Sequence, residues 1–215
     1  MKINNPTEWT KFITNEANYH IPNECCGGIA IDCGSNVGAL ELRNRNRFEI
    51  YYCYDILQDN IDTMHKNLEG LGVNYKTHLL ACSGTADIMV PVYAYATHNG
   101  SIDFFGNSGN VGTILSCEAG ELGWSSNNKI TELPSVTIEQ ILKPHKKIKL
   151  LKVDIEGVEY EFLGGKDLSM IEYIVGELHF HKEKQNTLVE HIGLTHDLIF
   201  YDGGNGYSFK NRLSK

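Results

Sequence analysis

The amino-acid sequence predicts an α/β fold: a doubly wound, mostly parallel sheet of seven strands that ends in an antiparallel hairpin. Three observations predict it. A short apolar run, Gly28 to Cys33, feeds straight into a loop carrying two glycines, Asp32-Cys33-Gly34-Ser35-Asn36-Val37-Gly38. From there, strand-like and helix-like segments alternate, the signature of parallel strands linked by helical crossovers. The last two strand-like runs are joined only by Asp202-Gly203-Gly204-Asn205-Gly206, a link that permits a hairpin and no crossover.

The elements follow in order. Residues 1–25 are polar and mixed, a short helix and then a turn at Pro22. The strand from Gly28 to Cys33 precedes a helix expected to start near Asn36. Phe48 to Tyr54 is aromatic and β-branched, a second strand. Leu57, Ile61, Met64 and Leu68 recur at helical spacing, and Gly70 closes that helix. Thr77 to Cys82 reads as a third strand, and residues 86–95 as extended chain. Thr97 to Leu133 is rich in Gly, Ser and Asn and reads as a long loop, of the kind that serves function. A short helix near Ile138–Leu142, a strand Lys149–Asp154, a helix near Val158–Leu163, a strand Tyr173–Leu178 and a helix Lys182–Leu194 complete the alternation. The closing strands are Asp197–Tyr201 and Tyr207–Arg212. One domain over 1–215 is expected, with its core at about 26–213 and residues 97–133 as a substrate-side insertion.

Composition narrows the class. The chain has 215 residues, 41% hydrophobic and 21% charged, as in soluble globular proteins. No run reaches the roughly 18 apolar residues of a membrane span, and the start MKINNPTEWTKF lacks a signal-peptide core. A cytoplasmic protein is expected. The cysteines Cys25, Cys26, Cys33, Cys53, Cys82 and Cys117 show no C-x-x-C spacing, so they are read as reduced thiols and not as a zinc site. The net charge of -8 disfavours nucleic acid as a partner, because phosphate-gripping proteins carry a basic face. The lysines at 143, 146, 147 and 149 are read as a solvated turn.

Four segments carry chemistry. The loop reads D-x-G-x-x-x-G and lacks the middle glycine that brings backbone against a pyrophosphate. This disfavours a nicotinamide dehydrogenase and fits S-adenosylmethionine, which has no phosphate. Gly34 and Gly38, with Ser35 and Asn36, supply a tight turn under the methionine and ribose portions. Asp32 can accept a hydrogen bond from the ammonium group, directly or through water. Asp55, 17 residues beyond Gly38, is the ribose-binding acid of a doubly wound fold, or the cap of the next helix; the two roles are compatible. Ile56, Cys82 and Ser83 line the same crevice. Lys152-Val153-Asp154-Ile155-Glu156-Gly157 delivers Asp154 and Glu156 to a strand's carboxyl end. Glu177-Leu178-His179-Phe180-His181 brings Glu177 and His179 to the carboxyl edge of the neighbouring strand.

These segments resemble the FkbM-type methyltransferases, a branch of the Rossmann-like class I S-adenosylmethionine enzymes. Ile31–Gly38 is similar to that family's D-x-G-A-N-x-G. Tyr54-Asp55 keeps its aromatic–acid step, with Ile56 where the family has proline. Leu150–Glu159 matches L-L-K-[IV]-D-[IV]-E-G-x-E, and Glu177-Leu178-His179 matches E-x-H. Gly106–Gly109 and Val136–Ile138 also look like family segments, so the resemblance covers about residues 26–212. It implies O-methylation of a sugar or other small hydroxylated compound, with S-adenosyl-L-methionine as cofactor. His179 is then the expected base, oriented by Glu177 or Asp154. A divalent metal held by Asp154, Glu177 and His179 is the less favoured version. His98, Asn107, Ser108, Trp124 and His181 are the candidates for acceptor contact. A non-catalytic cofactor-binding module is the first alternative, and a nucleic-acid methyltransferase the second. Against the latter, Asp154-Ile155-Glu156-Gly157 stands where base-methylating enzymes carry Asn/Asp-Pro-Pro-Tyr/Phe.

Overall fold

The computed structural model describes residues 19–96, 112–113, 125–179 and 182–214. Its element order is β1 (Ile29–Cys33), α1 (Ala39–Arg43), β2 (Ile50–Asp55), α2 (Gln58–Leu68), β3 (Tyr75–Leu79), β4 (Ala81–Cys82), β5 (Met89–Ala96), β6 (Gly112–Thr113), β7 (Ser125–Val136), α3 (Ile138–Leu142), β8 (Ile148–Val153), α4 (Glu159–Leu163), β9 (Ile171–Glu177), α5 (Lys182–Ile192), β10 (His196–Tyr201) and β11 (Gly206–Asn211). The main sheet has seven strands in the order β10-β11-β9-β8-β1-β2-β3. Its pairs from β9 through β3 are parallel. β11 lies antiparallel between β9 and β10 and is the one reversed strand.

Alternation along the strands explains the two layers of helix. Ile31 and Cys33 in β1, with Leu151 and Val153 in β8, face a core completed by Ile138 and Ile141 of α3, Phe162 of α4 and Leu188 of α5. The intervening Ala30 and Leu150 face the opposite core, which holds Leu40 of α1 and Met64 and Leu68 of α2. A central parallel strand is buried on both faces, and β1 and β8 are apolar apart from Asp32, Lys149 and Lys152. α3 starts with a capping box: Gln140 N–H donates to Thr137 Oγ1 (3.5 Å) and Thr137 N–H to Gln140 Oε1 (3.1 Å). No helix among the described residues is long and apolar enough to cross a membrane.

Three expectations change. The predicted third strand, Thr77–Cys82, is two elements: β3 ends at Leu79, and β4 belongs to a second sheet of order β4-β7-β5-β6. The Thr97–Leu133 segment is not all loop, because Ser125–Leu133 lies within β7, which pairs antiparallel with β5. Its Ser-Ser-Asn-Asn-Lys start has no alternation to signal a strand; the ladder to β5 makes it one. The first helix starts at Ala39, after the glycine loop, rather than near Asn36. The turn at Pro22 is present, with Cys25 N–H donating to Pro22 O at 2.9 Å. Cys25, Cys26, Cys33, Cys53 and Cys82 are free thiols, and Cys117 lies outside the described residues.

Candidate active site

The glycine loop is held by backbone. Gly34 and Ser35 N–H both donate to Tyr54 O, at 2.9 and 3.0 Å, where β2 ends. Asn36 N–H donates to Asp55 Oδ2 at 2.8 Å, and Asn36 itself sits at φ +49°. Gly34 has φ +83°, and a Cβ there would lie 1.8 Å from the Asp154 carbonyl oxygen. Close approach of the β1 and β8 ends thus dictates glycine at 34. At Gly38 (φ +78°) a Cβ would meet Met64 Cγ of α2 at 2.7 Å.

Asp55 is 6% exposed, and Oδ1 accepts from Leu57 N–H (2.8 Å) and Asn60 Nδ2 (3.1 Å). Burial pushes its carboxyl up to about 6 against the pull of these donors. It therefore pins the turn that leads into α2, and Oδ2 accepts from Asn36 N–H. Ser35 Oγ is buried with no hydrogen-bond partner among the described residues. A donor- and acceptor-bearing ligand would satisfy it, so the loop fits a polar cofactor such as S-adenosylmethionine.

Asp32 is 1% exposed and faces the neighbouring strand. Its partner is Lys152, whose Nζ lies 3.1 Å from Oδ1. Strand register brings this about: Asp32 of β1 stands opposite Lys152 of β8. Lys152, 3% exposed, also donates to the carbonyl oxygens of Gly34 (2.5 Å) and Cys33 (3.4 Å). Burial opposes its charge, but Asp32, Tyr19 and Asp154 outweigh that and hold the ammonium well above its usual range. In α1, burial and the charge of Asp32 push the Glu41 carboxyl well above its usual range. Tyr19, from outside the sheet, donates its hydroxyl to Asp154 Oδ2 at 2.9 Å and lays its ring 5.3 Å from Lys152 Nζ.

The opposite wall is built from side-chain charge. His179 follows β9 and is surrounded by four carboxylates. Nδ1 lies 3.1 Å from Glu159 Oε1 and 3.9 Å from Asp154 Oδ1; Nε2 lies 3.2 Å from Glu177 Oε2 and 3.7 Å from Glu156 Oε2. Burial works against the imidazolium, but the bonds to Glu159 and Glu177 and the charges of Glu156 and Asp154 prevail and hold the ring well above its usual pKa. Glu159 is 0% exposed and accepts from Ile155 and Gly157 N–H, which locks it under the turn from β8 into α4. Glu156 sits in that turn at φ +56°.

The structure thus brings Asp154, Glu177 and His179 together, with Glu156 beside them. It adds Glu159 as the group on Nδ1, a role the sequence reading gave to Glu177 or Asp154, and adds Lys152 and Tyr19. Ile56 packs with Leu57, Ala81, Val90, Val92 and Leu133. Cys82 is buried in the core of the α3 face, and Ser83 N–H donates to Val136 O. His98, Asn107, Ser108, Trp124 and His181 lie outside the described residues.

Among solved structures the chain is similar to M. capricolum TrmK in complex with S-adenosyl-homocysteine, at 13% identity over 94% of this chain and 68% of that one, with a TM-score of 0.48. It is also similar to the ribosomal protein L11 methylase from Lactobacillus delbrueckii subsp. bulgaricus (7% identity, 94% and 78% covered, TM-score 0.47). The tRNA (m1A58) methyltransferase TrmI from Aquifex aeolicus is a third (12%, 100% and 73%, 0.42). No curated protein matches the sequence. The family model of the methyltransferase FkbM domain matches residues 32–208, which hold the glycine loop, Asp55, Asp154, Glu156, Glu159, Glu177 and His179. The chain belongs to the FkbM methyltransferase family, whose methyl donor is S-adenosylmethionine.

Proposed function

We propose that the protein is an O-methyltransferase acting on a hydroxyl of a sugar or other small hydroxylated compound. The observation that carries this reading is His179, held through Nδ1 by the buried Glu159 with Nε2 turned to Glu156 and Glu177. A hydroxyl becomes a competent nucleophile only as its proton leaves, and an oriented imidazole at the carboxyl edge of β9 is a suitable acceptor for it.

Bound S-adenosylmethionine would supply a methyl group on a cationic sulfonium. Gly34, Ser35 and Asn36 form the floor for it, and Asp55 takes the ribose hydroxyls. Lys152 neutralises Asp32 and pins the Gly34 carbonyl, so the floor keeps its shape. The carboxylates favour the charged ring, so His179 first gives its Nε2 proton to Glu177, 3.2 Å away; the neutral ring then takes the acceptor's proton at Nε2, and Glu159 stabilises the resulting cation. Residues 97–133 select the acceptor, as the long insertion of this chain. Its acidic balance fits an uncharged acceptor better than a polyanion.

Incubation with radiolabelled donor and a panel of saccharides and polyols tests the reading. Label in an alkali-stable methyl ether is expected. Transfer only to RNA or to amines, or a single-turnover rate unchanged in His179→Ala with a validated acceptor, overturns it.

A further inference from the structure

We propose that Asp154, Glu156 and His179 form a site for a divalent cation of the magnesium–manganese class, in front of β8 and β9. Each of the three offers a ligand atom, and these atoms all lie within 4.8 Å of one another. Around an octahedral manganese or magnesium ion with ~2.1 Å bonds, neighbouring ligand atoms lie about 3.0 Å apart and opposite ones about 4.2 Å, so the side chains must draw together by about an ångström or more to close the set. Two carboxylates and one imidazole suit a hard cation that tolerates nitrogen.

The second observation lies behind the ring. Metal-binding histidines give their other ring nitrogen to a carboxylate, which fixes the tautomer and the ring plane. Here Glu159, fully buried and anchored by Ile155 and Gly157 N–H, stands at Nδ1 and leaves Nε2 facing Glu177 at 3.2 Å and Glu156 at 3.7 Å. Beside the imidazolium, Lys152 Nζ lies 3.8 Å from Asp154 Oδ2, so two positive groups stand among the four carboxylates. A divalent ion offsets more of the carboxylate charge, and Asp154, Glu156 and His179 are each only partly buried, so an ion can enter from solvent.

The site's role in turnover rests on the O-methyltransferase reading and changes only which group receives the proton. A hydroxyl oxygen bound to the cation is acidified. Its proton passes to the exposed Glu177, and the oxygen then displaces the sulfur from the methyl carbon. Glu177 returns the proton to water.

Manganese titration of the metal-stripped full chain, followed by the loss of the free-ion paramagnetic resonance signal, tests the site directly. One saturable ion per chain, displaced by magnesium, is expected. Glu156→Gln and His179→Gln should each weaken it by about tenfold or more, with circular dichroism unchanged. Two results overturn the site: no saturable binding to the wild type, or affinity unchanged in both variants while both remain folded. If one variant fails to fold, the other and the wild-type stoichiometry still decide. A site that binds manganese in a chain that methylates no hydroxyl leaves the cation proposal standing and removes the O-methylation reading. Hydroxyl methylation with no ion bound does the reverse.

Discussion

The two walls of the candidate site are built by different means. The loop wall, from Gly34 to Asp55, is a set of backbone donors and one buried acid, fixed by the approach of β1, β2 and β8. The His179 wall is a concentration of charge carried on side chains from β8, the β8–α4 turn, α4 and the end of β9. A wall of backbone fails sterically, all at once. A wall of charge can be altered one group at a time while the fold stands. That separates what holds the donor from what tunes the reaction, and each prediction below presses on one side of the difference.

The largest effect is expected under the loop wall. Lys152→Met leaves Asp32 buried without its counter-ion and should cost about 3–5 kcal/mol of stability in thermal or denaturant unfolding. Asp32→Asn in the same chain should recover part of that loss. If Lys152→Met melts like the wild type, the loop wall does not depend on the buried pair.

His179→Ala comes next and should act on the other wall alone. Single-turnover methyl transfer should fall by about 10²–10⁴-fold, while donor affinity measured by calorimetry stays within about threefold, since no loop contact is lost. A matching loss of donor affinity would merge the two walls.

Gly34→Ala should cost about 3 kcal/mol, because the new Cβ meets the Asp154 carbonyl and φ is positive. Its unfolding midpoint and donor affinity should fall together, whereas Glu177→Gln, on the half-exposed side of the charged wall, should leave the midpoint within about 0.5 kcal/mol.

The smallest effect is a pH dependence. The Asp55 carboxyl is raised from 3.8 to about 6 in the fold, so the folded state binds its proton more tightly than the unfolded chain. Its contribution to stability is present below pH 3.8 and is lost as pH rises through 6. Donor affinity should move the opposite way, falling as pH drops below about 6, because only the ionised acid accepts both ribose hydroxyls. Affinity that is flat from pH 5 to 8 (a range of about three units) would take Asp55 out of ribose binding.

Legibility in the sequence follows the same division. The doubly wound sheet, its closing hairpin and the loop wall were readable because short-range patterns encode them: an apolar run into glycines, an acid at the next strand's end. On the charged wall, Asp154, Glu156, Glu177 and His179 were readable as strand-end residues. Glu159 was not, since a glutamate in the first turn of a helix is ordinary until the turn folds over it. Lys152 stood in plain view within its motif, but its partner depends on the β1–β8 register, which no local pattern states. Tyr19 reaches Asp154 across 135 positions and leaves no local trace. The splitting of β3 from β4 was missed for a related reason: residues 77–82 are continuous in character, and only partner choice divides them.

The position of β11 bears on how the chain is made. β10 meets the sheet only through β11, which slots between it and β9. A ribosome delivers β10 first, so this strand, with Leu198, Ile199 and Tyr201 exposed even in the finished fold, must wait beside an unfilled gap until residues 206–211 emerge. Assembly of this end thus waits on β11, and a chain stalled before residue 206 would present two adhesive strand edges to any chaperone or aggregate nearby.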